Sequence, residues 1–340
     1  MTTIPPWLSV GSPAQPRLPG DVMPYARLAE NTRTRRLWIG HSGLLEAQAL
    51  MAYLAGHGVD VGFGSSVGLT PLQHPYQAAL VARSVATLSA RQYVAGFGTA
   101  TPEFVTALHG RPYGRPRSAA VEFADIVRRL CAGEVLDQRG NDFGLRGLAP
   151  LEPGPQVEVG LGVLRPAMAR SAGEVADAAI TWLTPGPYVR DVLRPALVAG
   201  SERVGRSTPR VVTLVQVACD LPGRDRYALA GWAAGLHLEA PHYRAMLERA
   251  GVIEASATVD DAVARIVDRS VFLYGAPADI AARLRALVDD GVDEVVVKAT
   301  GVHLDLGIRA AVDDLVAVVE AAGELSRPDR RPGTVAGGRR

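Results

Sequence analysis

The sequence predicts an α/β fold, a (β/α)8 barrel of the TIM type with a helical insertion before the last strand. Three observations predict it. Eight short β-branched or apolar runs alternate with longer stretches of helical periodicity, the signature of βαβ units and a parallel sheet. Eight strands each followed by a helix close on themselves more naturally than they form an open sheet, because closure removes both edges. No GxGxxG follows the first run, and no acidic residue stands where a ribose would need one, so the doubly wound alternative lacks its fingerprint.

In chain order the strands are read at Trp7 to Gly11, Arg36 to Gly40, Val59 to Ser66, Tyr93 to Gly98, Val157 to Gly162, Ala179 to Leu183, Val211 to Ala218 and Glu294 to Ala299. Helical periodicity fills Leu44 to Ala55, Tyr76 to Leu88, Ala119 to Cys131, Pro166 to Ala176, Tyr188 to Val204 and Pro277 to Val288. Pro222 to Ser270, rich in Ala, Leu and His, reads as extra helices inserted between strands seven and eight. Residues 1–325 thus make one barrel. Ser326 to Arg340 combine Pro, Gly and Arg without apolar periodicity, which predicts a disordered tail.

Composition narrows the function classes. A hydrophobic fraction of 48% suits a globular core, and 35 acidic residues offset 36 basic ones to leave a formal charge of +1, which disfavours a nucleic-acid binder. Cys131 and Cys219 form no CxxC pair, so neither a zinc site nor a disulfide framework is expected, and each reads as a lone buried thiol. With no basic segment followed by a long apolar run, a soluble, cytoplasmic protein without membrane contact is expected.

In a barrel the active site is built at the C-terminal ends of the strands. Those ends carry Gly40-His41-Ser42, Ser65-Ser66-Val67-Gly68, Gly98-Thr99-Ala100-Thr101, Gly160-Leu161-Gly162-Val163 and Trp182-Leu183-Thr184, with Gln216 on strand seven and Lys298 and Thr300 at the end of strand eight. The predicted mouth is Gly-rich, hydroxyl-lined and nearly free of carboxylates, and Phe97, Leu161 and Trp182 make it apolar. Small residues let a flat ligand approach the backbone, and N–H groups opening a helix make an anion site, which together suit a phosphate-bearing aromatic cofactor. Clustered His and Asp ligands for a metal are missing from the pattern. His41, at a strand end, is the candidate proton or hydrogen-bond donor, against the alternative of a structural histidine bonded to a neighbouring carbonyl. His74 before Pro75 and Glu103 after Pro102 read instead as groups at helix starts.

The run GLTPLQHPYQAALVARSVATLSARQYVAGFGTATPEF (Gly68 to Phe104) resembles the strand-three to strand-four block of the luciferase-like family. VEVGLGVLRPAMARSAGEVADAAITWLTP (Val157 to Pro185) resembles its strand-five to strand-six block, and LYGAPADIAARLRALVDDGVDEVVVKATG (Leu273 to Gly301) its C-terminal block. Three blocks in the right order cover, with weaker similarity at the first two strands, Trp7 to about Leu325. The resemblance implies a reduced flavin or deazaflavin as redox partner. The segment GSSVGLTP is similar to the deazaflavin branch, which implies a non-proline cis peptide at Ser66-Val67. His41 matches that branch's active-site histidine, and Thr99, Gly160, Gly162 and Val163 fall on positions that line the cofactor. Ser65, Ser66, Val67, Gly98, Leu161 and Trp182 complete the expected cofactor wall. Thr101 and Gly40 replace carboxylates of the sugar-phosphate dehydrogenases in that branch, which argues against sugar-phosphate oxidation.

The expected activity is hydride transfer from reduced coenzyme F-420 to a C=C or C=N carbon of a small molecule or modified peptide, with His41 or Thr101 polarising the acceptor or relaying a proton. The alternatives are a reduced-FMN monooxygenase and a cofactor-binding protein without turnover. The resemblance also implies a homodimer, for which the Leu44 to Ala55 helix offers Leu45, Leu50, Met51 and Leu54; core packing explains the same residues.

Overall fold

The computed structural model describes residues 4–13, 16–41, 43–111, 114–148 and 151–325. Ser42 and the tail at 326–340 lie outside the described residues. Eight parallel strands close into a barrel: β1 Leu8–Gly11, β2 Arg36–Ile39, β3 Gly62–Ser65, β4 Tyr93–Gly98, β5 Val157–Gly162, β6 Ala178–Trp182, β7 Arg210–Cys219 and β8 Glu294–Lys298. Each pairs with its sequence neighbours, and β1 pairs with β8, Leu8 opposite Val295, to close the ring. All eight expected strands are present, two with the expected bounds and the others with ends shifted by at most three residues.

Strand alternation sorts every side chain to one of two cores. Leu8, Val10, Leu37, Ile39, Tyr93, Phe97, Val159, Leu161 and Val297 face outward under the helices. Trp38, Val94, Ala178, Ile180, Val212, Leu214 and Val296 fill the interior, so the barrel is plugged at mid-height as its fold class requires. Below them, towards the N-terminal ends, lies a buried ionic layer of Arg36, Glu158, Arg210 and Glu294. Glycines make the interior possible. A β-carbon at Gly64 would stand 2.5 Å from the Trp38 ring, and one at Gly96 would stand 2.1 Å from the Ser65 carbonyl oxygen.

The insertion between β7 and β8 is helical, as expected: Arg226–Glu239, Pro241–Arg249 and Val259–Asp268. Asp225 caps the first, accepting from Tyr227 N at 2.8 Å, and Thr258 with Asp261 forms a capping box on the third. Sequence reading missed a short strand, Phe272–Gly275, that pairs in parallel with the C-terminal half of β7, and the antiparallel hairpin Leu136–Arg139 with Gly144–Leu148. The expected Tyr188 to Val204 helix is present over residues 186–203 and contains a π-helical turn, Val189–Leu193, just ahead of Pro195, which has no N–H to donate. The helix Ala47–Gly56 buries Leu50, Met51 and Leu54 in the chain's own core, which withdraws those three from any partner surface. Both cysteines are free, and burial pushes their thiols up, Cys131 to about 11 and Cys219 to about 12. No helix among the described residues is long and apolar enough to cross a membrane.

Candidate active site at the barrel mouth

Two cavities of similar size flank the barrel. One, of about 720 Å³, lies at the N-terminal ends among Arg35, Asp60, Arg91 and Gln92, the face of a barrel opposite its active site, where Asp60 and Arg91 form an exposed ion pair. The other, of about 730 Å³, opens at the C-terminal ends. Thr99, Thr101 and Glu103 bound it after β4, Gly162 and Arg165 after β5, and Leu236, Glu239 and His242 from the insertion. The insertion therefore supplies a wall of the mouth. Expected to be nearly free of carboxylates, the cavity has two at its edge, Glu103 from the first turn after Thr101 and Glu239 from the inserted helix.

The floor is built from backbone. The Ser66-Val67 peptide is cis, as the resemblance implies, and Val67 projects towards β4 and β5: a β-carbon at Gly98 would stand 2.7 Å from Val67 Cγ2, and one at Gly162 would stand 4.0 Å from it. Ala100 (φ +60°) and Leu183 (φ +53°), just past β4 and β6, hold left-handed conformations without being glycine. Arg33 and Ala90 do so as helix C-caps, which explains them; the two at the mouth have no such role, and strain of this kind concentrates at functional sites. Gln216 and Thr300 brace the opposite rim: Thr300 N donates to Gln216 Oε1 (3.1 Å) and Thr300 Oγ1 to Pro13 O (2.7 Å).

The luciferase-like monooxygenase profile matches residues 2–294. This chain belongs to that family. Among solved structures, it is similar to a coenzyme F-420-dependent secondary alcohol dehydrogenase in complex with an F-420–acetone adduct (17% identity, TM-score 0.70, covering 94% of this chain and 99% of that one). It is also similar to the coenzyme F-420-dependent tetrahydromethanopterin reductase from Methanopyrus kandleri (16%, 0.68, 93% and 97%). A third is the FMN-bound oxygenating constituent of 3,6-diketocamphane monooxygenase from Pseudomonas putida (17%, 0.66, 93% and 98%). No curated protein matches the sequence.

Within this luciferase-like barrel the expected site residues separate into three groups. Thr99, Thr101 and Gly162 line the cavity, Val67 and Gly98 lie against Gly162, and the Ser66 carbonyl faces Gly40. His41 stands exposed at the rim, its ring 6.3 Å from and edge-on to that of Phe104. Local desolvation lowers its pKa against the opposing pull of Glu46, so the imidazole is neutral at pH 7. Trp182 lies deeper, stacked on His237 at 4.6 Å. The remaining four correct the expectation. Leu161 and Val163 point outward, because alternation from Gly160 and Gly162 turns them to the helix side, and the Val163 N–H is spent on Ile180 O (2.8 Å). Ser65 Oγ is buried between Gly96 N (2.8 Å) and Tyr93 OH (3.1 Å), holding β3 to β4. Gly160 lies a layer below the mouth, where a β-carbon would meet Ile180 Cδ1 at 2.8 Å. Phe97, likewise, packs outward on Phe123.

Sequence reading missed Arg165, Leu236 and His242. Only Arg165 had a local signal, a cation directly before the Pro166 that starts a helix. Burial lowers the His242 pKa and the Arg165 charge lowers it further. His74 caps the Pro75–Ser89 helix, Nδ1 accepting from Tyr76 N at 3.2 Å, as expected of its region. Thr101 also caps a helix: Oγ1 accepts from Phe104 N at 3.3 Å, which leaves its O–H free to donate into the cavity. Thr101→Ala is therefore expected to cost about 1 kcal/mol of stability, read by chemical denaturation, and Thr101→Ser to cost little. No group of three or more metal-ligating side chains occurs among the described residues.

Proposed function

We propose that this chain is an oxidoreductase that binds coenzyme F-420 at the barrel mouth and uses it to reduce a C=C or C=N bond of a small molecule or peptide. The observation that carries the reading is the cavity of about 730 Å³ at the C-terminal face. Its size is in the range of small-molecule sites, Gly162 lets a planar ring approach the backbone, and Arg165 with the N-terminus of the Pro166–Val175 helix offers a seat for phosphate. When bound, reduced F-420 supplies a hydride. Two of the similar structures are coenzyme F-420-dependent enzymes, and the GSSVGLTP segment resembles the deazaflavin branch.

The chain's own residues supply positioning and proton handling. Neutral His41 can donate or accept a hydrogen bond at the rim, and the Thr101 hydroxyl can donate from the neighbouring strand end. Spectral titration decides between cofactors: saturable binding of F-420 and weak binding of FMN are expected. Tight FMN binding with no response to F-420 would move the assignment to a reduced-FMN monooxygenase, the reading favoured by the FMN-bound relative. Bound F-420 that no electrophile reoxidises would leave a binding protein without turnover.

A further inference from the structure

Strand β8 ends on the chain's only lysine, Lys298; the rest of its 36 basic residues are arginine. The side chain is only 6% exposed and points into the top of the barrel, where its stem occupies the space of a missing side chain: a β-carbon at Gly11 would stand 2.6 Å from Lys298 Cγ. Among the described residues no carboxylate or hydrogen-bond acceptor contacts Nζ. Nζ lies over the face of Trp182, with the ring centroid at 5.1 Å. The Trp182 indole N–H is itself buried without an acceptor among the described residues. His237 of the inserted helix stacks on Trp182, and burial, reinforced by the Lys298 charge, pushes it down to about 4 and keeps it neutral. Gln216, level with Lys298 on β7, is committed to Thr300.

Buried donors are almost always paired, and buried charges more strictly so. A buried cation and a buried N–H beside each other at the top of the barrel, both lacking acceptors among the described residues, therefore describe one half of an interaction. The missing half is oxygen that carries or acquires negative charge, and the Trp182–His237 slab suits a flat conjugated group beside it. Arginine would supply a fixed cation there; lysine supplies one that can also give up its proton, and burial already holds Lys298 down at about 8.

We propose that Lys298 and the Trp182 N–H form the receptor for the carbonyl or carboxylate oxygen conjugated to the bond being reduced, so that the substrates are α,β-unsaturated acyl compounds. The proposal rests on the hydride-transfer reading above. As a hydride from the reduced deazaflavin reaches the β-carbon, the C=C pair shifts towards the carbonyl and charge collects on oxygen, where the ammonium holds it. Lys298 then passes one proton to the α-carbon and recovers it from solvent. One hydride and one proton have been added across the double bond, and the cofactor has been oxidised by two electrons.

Because there is one lysine, protein grown on 13C-lysine gives a single Cε resonance, and its position reports the protonation of Lys298 directly. Titration with cinnamate, with and without F-420, is expected to shift that resonance saturably and to raise the Lys298 pKa by about one unit, as a nearby anion does. Cinnamyl alcohol, which lacks the acyl oxygen, is expected to leave it in place. Lys298→Met should weaken cinnamate binding about tenfold or more while F-420 affinity stays within about twofold. A resonance unmoved by cinnamate in both conditions, or moved equally by the alcohol, overturns the receptor. A shift with cinnamate in a protein that binds no F-420 keeps the receptor and overturns the hydride-transfer reading instead.

Discussion

Glu294→Gln is expected to cost about 3 kcal/mol of folding stability, near the lower end for breaking a buried ion pair. Glu294 is fully buried at the foot of β8 and is the hub of the ionic layer. It accepts from Ser9 Oγ (2.6 Å), Trp38 Nε1 (2.8 Å), Arg36 Nη1 (2.7 Å) and Arg210 Nη1 (3.0 Å). Glutamine keeps some of those hydrogen bonds but leaves Arg36, itself buried, with only Glu158 at 3.8 Å to balance it. The expected fall in Tm is roughly 4 °C for a chain of this length. The loss is pH-dependent with a definite sign. Burial pushes the Glu294 carboxyl up, but the Arg36 charge, the Ser9 hydrogen bond and Arg210 together outweigh it and hold the pKa below the ordinary value. A depressed folded-state pKa stabilises above the unfolded value of about 4.3 and ceases to do so as pH falls through the folded one. Melting curves from pH 8 to pH 3 should therefore show the gap between parent and variant narrowing on the acid side. A gap of constant width would mean that the carboxylate charge is not what stabilises the layer.

How much of this was legible in the sequence follows from which forces act locally. Strands such as β7 and β8 announce themselves through β-branched runs, and the barrel follows from their alternation with helices. The hairpin did not announce itself, because LDQR and GLRGL carry no β-branched residue. At the site, position along the strand was legible and facing was misjudged. Thr99 and Gly162, found by following β4 and β5 to their ends, border the cavity, whereas Leu161 and Phe97 were credited to the mouth although each stands one residue from an inward glycine. The same alternation, applied to Glu294, Val296 and Lys298, puts all three inside and would have marked the lysine as a cation at the upper end of the interior, on the far side of Val296 from the ionic layer around Glu294. Leu236 and His242 were beyond reach. Their contact with the mouth depends on how the inserted helices fold back over β4 and β5, a long-range packing outcome with no local periodicity.

Gly162→Val is expected to weaken cofactor binding about 100-fold, or about 2.7 kcal/mol, with the fold intact. Two glycines of the same mouth make the argument, because they are glycine for different reasons. At Gly98 a β-carbon would stand 2.7 Å from Val67 Cγ2, so any side chain there displaces the residue that forms the floor, and Gly98→Val should lower Tm as well as binding. At Gly162 the nearest atoms to a β-carbon are Phe97 O at 3.6 Å and Val67 Cγ2 at 4.0 Å, ordinary contact distances, and the backbone has no positive φ to forbid a branched residue. The two methyls of valine then have the cavity to enter, where they occupy the space through which a flat ring would reach the strand backbone. Fluorescence titration with F-420, paired with a melting curve for each variant, separates the two cases. If Gly162→Val binds as the parent does, the ring does not lie against the end of β5, and the cavity serves substrate alone.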